Sequence, residues 1–204
     1  MPTVAVDRDL LFQKLGKQYT EEEFDEFCFE FGIELDEVTT ERQMKRKETK
    51  DDADGSDNVI YKLDIPANRY DLLCVEGLAR GMLVFQGKIK PPQYKLSAPV
   101  KMEQMYVKAD TARIRPHVVC ATIRNINLSH DAYNSFLDLQ DKLHQNICRR
   151  RTLVSVGTHD LDSIKGPFSY EARTPDNIKF KPLFEDKVFD NAKTYLDHLK
   201  VHPE

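Results

Sequence analysis

The sequence predicts an α+β protein, and three observations carry that prediction. Short runs alternate apolar and polar residues with the period of a strand, and longer runs repeat apolar residues at helical spacing. The two kinds interleave along the chain, as in a mixed sheet with helices on one side. At 204 residues the chain can hold one large domain or two small ones, with a core that needs neither disulfide nor metal.

The elements follow in order. Val4 and Val6 alternate as a strand, and Leu10, Leu11 and Leu15 then lie on one helical stripe closed by Gly16. Thr20 and Glu23 form a capping box ahead of Phe24, Phe27, Cys28 and Phe31, and Gly32 suits the position just past that helix. Ile33 to Val38 alternates as a half-buried strand, whereas residues 41–57, ERQMKRKETKDDADGSD, bury nothing and predict a flexible hairpin loop. Asn58 to Ile65 resumes alternation through Ile60, Leu63 and Ile65 and stops at Pro66. A helix over Asp71 to Phe85 buries Leu72, Val75, Leu78, Ala79, Met82 and Phe85. Pro91 and Pro92 then favour an extended linker, which places a domain boundary between residues 90 and 95.

In the second half, Val100 to Val107 and His117 to Ile126 read as strands. A helix runs from Ser129 to about Cys148 with Tyr133, Phe136, Leu137, Leu143 and Ile147 as its stripe. Strands are expected at Thr152 to Val156, Phe168 to Glu171 and Ile178 to Phe180, with the turn GTHDLDSIKGP after the first.

Composition narrows the class. Hydrophobic residues at 40% and charged residues at 31% exclude disordered and collagen-like chains. The four cysteines form no CxxC pair, and three lie in apolar runs, so a reduced, cytoplasmic protein is expected. The start MPTVAVDRDLLF lacks the pattern of a signal peptide, and no apolar run reaches the ~20 residues of a membrane span. Neither secretion nor a membrane is expected. A formal charge of −4 excludes a general positive field for nucleic acid, so any RNA contact must be local.

Three segments carry candidate chemistry. In DIPANRYDLLCVEGLARG, Asp64 to Gly81, a turn brings Asn68, Arg69 and Asp71 together, and Asp71 is a natural N-cap. Glu76 and Arg80, four apart, suit a helical ion pair, while Gly77 and Gly81 allow close packing. Arg69 and Arg80 could meet RNA or another subunit, but such pairs mostly organise a scaffold. Arg149, Arg150 and Arg151 follow a helix end, where three guanidinium forks suit either a phosphate backbone or the helix dipole. Thr158, His159, Asp160 and Asp162 place an imidazole between hydroxyl and carboxylates, as a base or metal site would. No other His or Cys lies at ligand spacing, and Asp160 or Asp162 serves equally as a helix cap.

The signature segment resembles the amino-terminal domain of phenylalanine-tRNA ligase β subunits. EEEFDEFCFEFGIELDEVT, IRPHVVCATIRNI, LQDKLHQNICRRR, VGTHDLDSIKGPFSYEA and IKFKPL are similar, in the same order, to eukaryotic and archaeal members of that family. The resemblance covers most of residues 1–184. It implies a small B1-like structural α/β domain over residues 1–90 and, over residues 95–204, the first part of a mixed-sheet B3/B4-type domain that edits tRNA mischarged with tyrosine. It also implies a class II α2β2 enzyme that charges tRNA(Phe) with phenylalanine using ATP and magnesium, the chemistry residing in the α subunit.

Thr158, His159 and Asp160 would then line a wall of the editing pocket, and Arg149 to Arg151 are candidates for tRNA contact. The family's later pocket segment, Leu-Ser-Met-Pro-Pro-Ile-Ile-Asn, has no counterpart here, and residues 184–204 depart from the pattern. No catalytic residue is therefore assigned. No phosphate loop and no activated serine occurs, so no cofactor is expected in this chain itself. Two other readings remain beside it: a non-catalytic RNA-binding or assembly module of the same family, and an autonomous hydrolase of mischarged tRNA.

Overall fold

A computed structural model describes residues 2–49, 56–183 and 185–201. Strand β1 (Thr3–Asp7) leads through Asp7, whose carboxylate accepts from the Leu10 N–H at 2.9 Å, into helix α1 (Arg8–Leu15). Gly16, with φ of 67°, closes it. Helix α2 (Glu21–Phe31) starts on the expected reciprocal box of Thr20 and Glu23 and ends at Gly32, φ 89°.

Strand β2 (Glu34–Thr40) departs from the expected alternation at one residue. Val38, out of phase with Ile33 and Leu35, faces outward at 37% exposure, and Thr39 takes the buried place. The register of the strand also shifts between Leu35 and Glu37, as at a bulge.

Part of the predicted loop is helical. Helix α3 covers Glu41–Thr49, because Glu, Arg, Gln, Met and Lys favour a helix locally even with nothing to bury. Arg42 pairs with Asp57 at 2.9 Å, and the Ser56 N–H donates to Glu41 at 3.1 Å. Residues 50–55 of the predicted loop lie outside the described residues.

Strand β3 (Val59–Asp64) is central in a three-stranded antiparallel sheet of order β1-β3-β2, with Val4 opposite Leu63 and Val6 opposite Tyr61. Tyr61, Leu63 and Ile65 point into the core, so Tyr61 and not Ile60 is in phase. Helix α4 (Val75–Phe85) begins later than predicted, after a single turn at Tyr70–Leu72. Its buried stripe is the expected one except at Phe85, which is 52% exposed near the helix end.

The chain forms two compact units, Met1–Lys95 with Ile126–Thr158, and Leu96–Asn125 with His159–Glu204. The first contains the sheet, α1, α2, α4 and helix α5 (His130–Gln145), whose Leu139 and Leu143 pack on the core. The second holds strands β4 (Met105–Val107) and β5 (Phe168–Tyr170), a parallel pair, and helix α6 (Ala192–Val201). Tyr195 of α6 meets Phe180 and Phe189 edge-on, with centroids 5.4 and 4.9 Å apart.

His117 to Ile126 and Thr152 to Val156 form no strand, and β4 is shorter than expected. Alternation specifies which face a strand would bury, but a strand exists only where a neighbouring backbone accepts its hydrogen bonds. Val119 and Ile123 accordingly remain 94% and 74% exposed. Where the sequence leads one to expect a mixed sheet, the first unit has a three-stranded antiparallel sheet and the second a two-stranded parallel pair, within an α+β chain.

Candidate functional site

The signature turn is built by main-chain bonds from the Arg69 N–H to the Pro66 carbonyl at 2.9 Å and from the Leu72 N–H to the Arg69 carbonyl at 3.0 Å. They place the Arg69 guanidinium as a fork on Asp71, Nε to Oδ1 at 2.9 Å and Nη2 to Oδ2 at 3.0 Å. The guanidinium also lies over the Phe31 ring, 5.6 Å from its centroid. Asn68 is exposed on the turn.

Asp71 does not cap α4. Leu72 and Leu73 are both buried, which spends two residues between the turn and the helix, and the cap falls to Cys74, whose Sγ accepts from the Gly77 N–H at 3.4 Å. Nor do Glu76 and Arg80 bond each other. Glu76 accepts from Ser135 of α5 and meets Lys14 of α1 at 3.4 Å, while Arg80 donates to the Tyr94 hydroxyl at 2.6 Å. Long-range partners within the unit outcompete a helical pair that is worth only ~0.2–0.5 kcal/mol.

Charge is balanced locally. The hydrogen bond from Arg69 holds the Asp71 carboxyl below its usual range. Burial would raise the Glu76 carboxyl, but the Ser135 hydroxyl and Lys14 reverse that and hold it low. Burial pushes the Cys28 thiol up to about 12, which makes it an inert core group.

A lowered Asp71 stabilises the fold above the usual carboxylate range, and that contribution disappears as pH falls through about 4 and below. Asp71 is half exposed, so the effect is under about 1 kcal/mol. Asp71→Asn should therefore be less stable than the parent in urea at neutral pH and equal to it near pH 2. An unchanged difference across that range would remove the fork as the cause.

Helix α5 starts on Ser129, whose hydroxyl accepts from the Ala132 N–H at 3.3 Å, and beyond its end come the three arginines. Arg149, Arg150 and Arg151 are exposed and have φ of 50°, 53° and 63°. Left-handed backbone costs a residue with a β carbon roughly 1–2 kcal/mol. The turn is held by the Thr152 N–H and hydroxyl on the Arg149 carbonyl, 3.1 and 2.6 Å, and by the Leu153 N–H on the Cys148 carbonyl, 3.2 Å.

The chain after this turn is tied back to α5 at two positions four apart. The Val156 N–H donates to Nε2 of the buried His144 at 2.8 Å, and the Thr158 hydroxyl donates to Gln140 at 2.8 Å. His144 escaped the sequence reading, whose only signal was its spacing from Gln140.

Thr158 belongs to the first unit, and His159 and Asp160 to the second. Asp160 caps the short turn Leu161–Ser163 by accepting from the Asp162 N–H at 3.0 Å, the structural role open to it from sequence. Among the described residues no three His, Cys, Asp or Glu side chains gather as a metal set. A groove of about 660 Å³ in the first unit is lined by Asp7, Asp9, Asp131, Asp138 and Lys142. Asp7 is already engaged by Leu10 and by Asn58, at 2.9 and 3.0 Å, so these acids form no ready ligand set either.

Comparison with known proteins supplies what the geometry alone does not. The family model described as the B1 domain of the Phe-tRNA synthetase β subunit matches residues 1–88. The phenylalanine-tRNA ligase β subunit of Drosophila melanogaster is 56% identical across 100% of this chain and 35% of its own length. The human one is 57% identical over 93% of this chain and 33% of its own, and the Arabidopsis thaliana one, named cytoplasmic, 55% over 93% and 32%. This chain thus spans about a third of these relatives. A solved amino-terminal fragment of the phenylalanyl-tRNA synthetase β-subunit from Pyrococcus horikoshii superposes with a TM-score of 0.80 at 28% identity, covering 96% of this chain and 52% of that one.

Proposed function

Because the chain belongs to the phenylalanine-tRNA ligase β-subunit family and corresponds to its amino-terminal part, we propose that it serves as the scaffold end of that ligase. The observation that carries this reading is identity above half with the fly β subunit along the whole chain. Residues 1–90 act as a B1-type structural domain whose Arg69–Asp71 fork and Glu76 contacts hold turn and helices in place. Residues 95–204 contribute to a B3/B4-type editing domain, with His159 and Asp160 along a pocket wall completed by other parts of the ligase.

The partners are an α subunit, in an α2β2 assembly, and tRNA(Phe), and the compartment is the cytoplasm. Among the described residues no helix is long and apolar enough to cross a membrane. ATP and magnesium serve the α subunit's adenylate chemistry. This reading assigns neither of them to residues of this chain. This chain by itself neither charges nor edits tRNA.

The test is a chimera in which this chain replaces the matching third of the fly β subunit, co-expressed with the fly α subunit. It should assemble and charge tRNA(Phe) with phenylalanine. A folded chimera that fails to assemble with the α subunit would overturn the reading, as would hydrolysis of tyrosyl-tRNA by the isolated chain.

A further inference from the structure

We propose that the left-handed turn Arg149–Arg150–Arg151 is a phosphodiester-binding site for an RNA backbone. The choice of RNA rests on the ligase reading above; the site itself rests on conformation and charge. The chain carries a net charge of −4, yet from Lys142 to His159 there is no Asp or Glu, and Lys142 with the three arginines makes this stretch strongly positive. Neither Arg149 nor Arg150 forms an ion pair with a described carboxylate.

The backbone explains why arginine here is not a packing choice. All three residues have positive φ, where glycine or asparagine would fit at lower cost, and all three side chains are exposed. Main-chain groups of Cys148, Arg149, Thr152 and Leu153, with the Thr152 hydroxyl, hold the turn, which therefore does not rest on the guanidinium groups of Arg149 and Arg150. An unfavourable conformation kept with exposed cationic side chains points to a binding role.

Each guanidinium fork matches a phosphate with two parallel N–H bonds. The dipole of α5 would be served by one cation, and it asks for nothing left-handed.

Anisotropy of labelled tRNA(Phe) with the purified 204-residue chain, across about 50 to 200 mM salt, tests the site. Replacing all three by glutamine should weaken binding at least about tenfold at low salt and flatten the log–log salt slope by roughly two to three, one contact per arginine. Arg150→Gly should raise the melting temperature, since it relieves the backbone, and still weaken binding severalfold. That combination separates a binding turn from a scaffold turn, in which glycine would lose stability too.

Unchanged affinity and slope in the triple variant, a lower melting temperature for Arg150→Gly, or binding to phosphatidylserine vesicles but not to tRNA would each overturn the proposal. Absence of tRNA binding by the parent chain would also overturn it. None of these outcomes bears on assembly of the chimera with the α subunit, which tests the ligase reading.

Discussion

Gly77→Ala is expected to destabilise the first unit by about 3 kcal/mol, the upper range for overpacking. A β carbon at Gly77 would overlap the Asp71 carbonyl oxygen far inside van der Waals contact, and that oxygen is main chain. The turn from Tyr70 to Leu73 would have to move, and with it Leu72 and Leu73, both essentially unexposed. Alanine would return at most about 1 kcal/mol through helix propensity, too little to offset the clash. Gly81→Ala is the comparison within the same helix. Its β carbon would lie 2.9 Å from Leu72 Cδ2 and 3.1 Å from Phe31 Cζ, the ends of side chains that can shift. Urea unfolding should show a large loss for Gly77→Ala and a small one for Gly81→Ala; equal stabilities would remove the packing account of the signature glycines.

Phe24→Ala should cost about 3–5 kcal/mol, the cost of emptying an aromatic site in a closed core. Phe24 is 0% exposed, with ring centroids of Tyr61 at 5.1 Å, Phe12 at 5.3 Å and Tyr19 at 5.9 Å. It therefore joins α1, α2 and β3 at one point. A domain holds only about 5–15 kcal/mol in total, so most of the unit's stability is at stake. Phe29, five residues along the same helix, is 84% exposed, and Phe29→Ala should change stability by no more than about 0.5 kcal/mol. The chain has no tryptophan, so tyrosine fluorescence and far-UV circular dichroism are the probes. Comparable losses for the two variants would contradict the core placement.

Much of the first unit was legible because its signals are local. The Thr20–Glu23 box, the left-handed glycines at 16 and 32, and the stripe Leu72 to Met82 each depend on residues within a few positions of one another. Family membership was legible for a different reason: the ordered set of segments from EEEFDEF to IKFKPL resembles one family, and the fly relative aligns over the whole chain.

The candidate site was read less completely. Residue types at Arg69 and Asp71 announced the fork. Nothing near Glu76, however, announces Lys14 or Ser135, and nothing near His144 announces the Val156 N–H. Local preferences encode caps, turns and the helix formers of α3, whether or not the surroundings were foreseen. Strand pairing, the choice of ion partners and the left-handed arginine turn were decided only by tertiary structure, since each depends on groups distant in sequence or on how a helix end is tied down. The sequence by itself determined the family resemblance, the Thr20–Glu23 box and the glycines that close α1 and α2; the fold decided where α4 is capped and which polar groups meet, because a hydrogen bond needs a partner that alternation and charge cannot name.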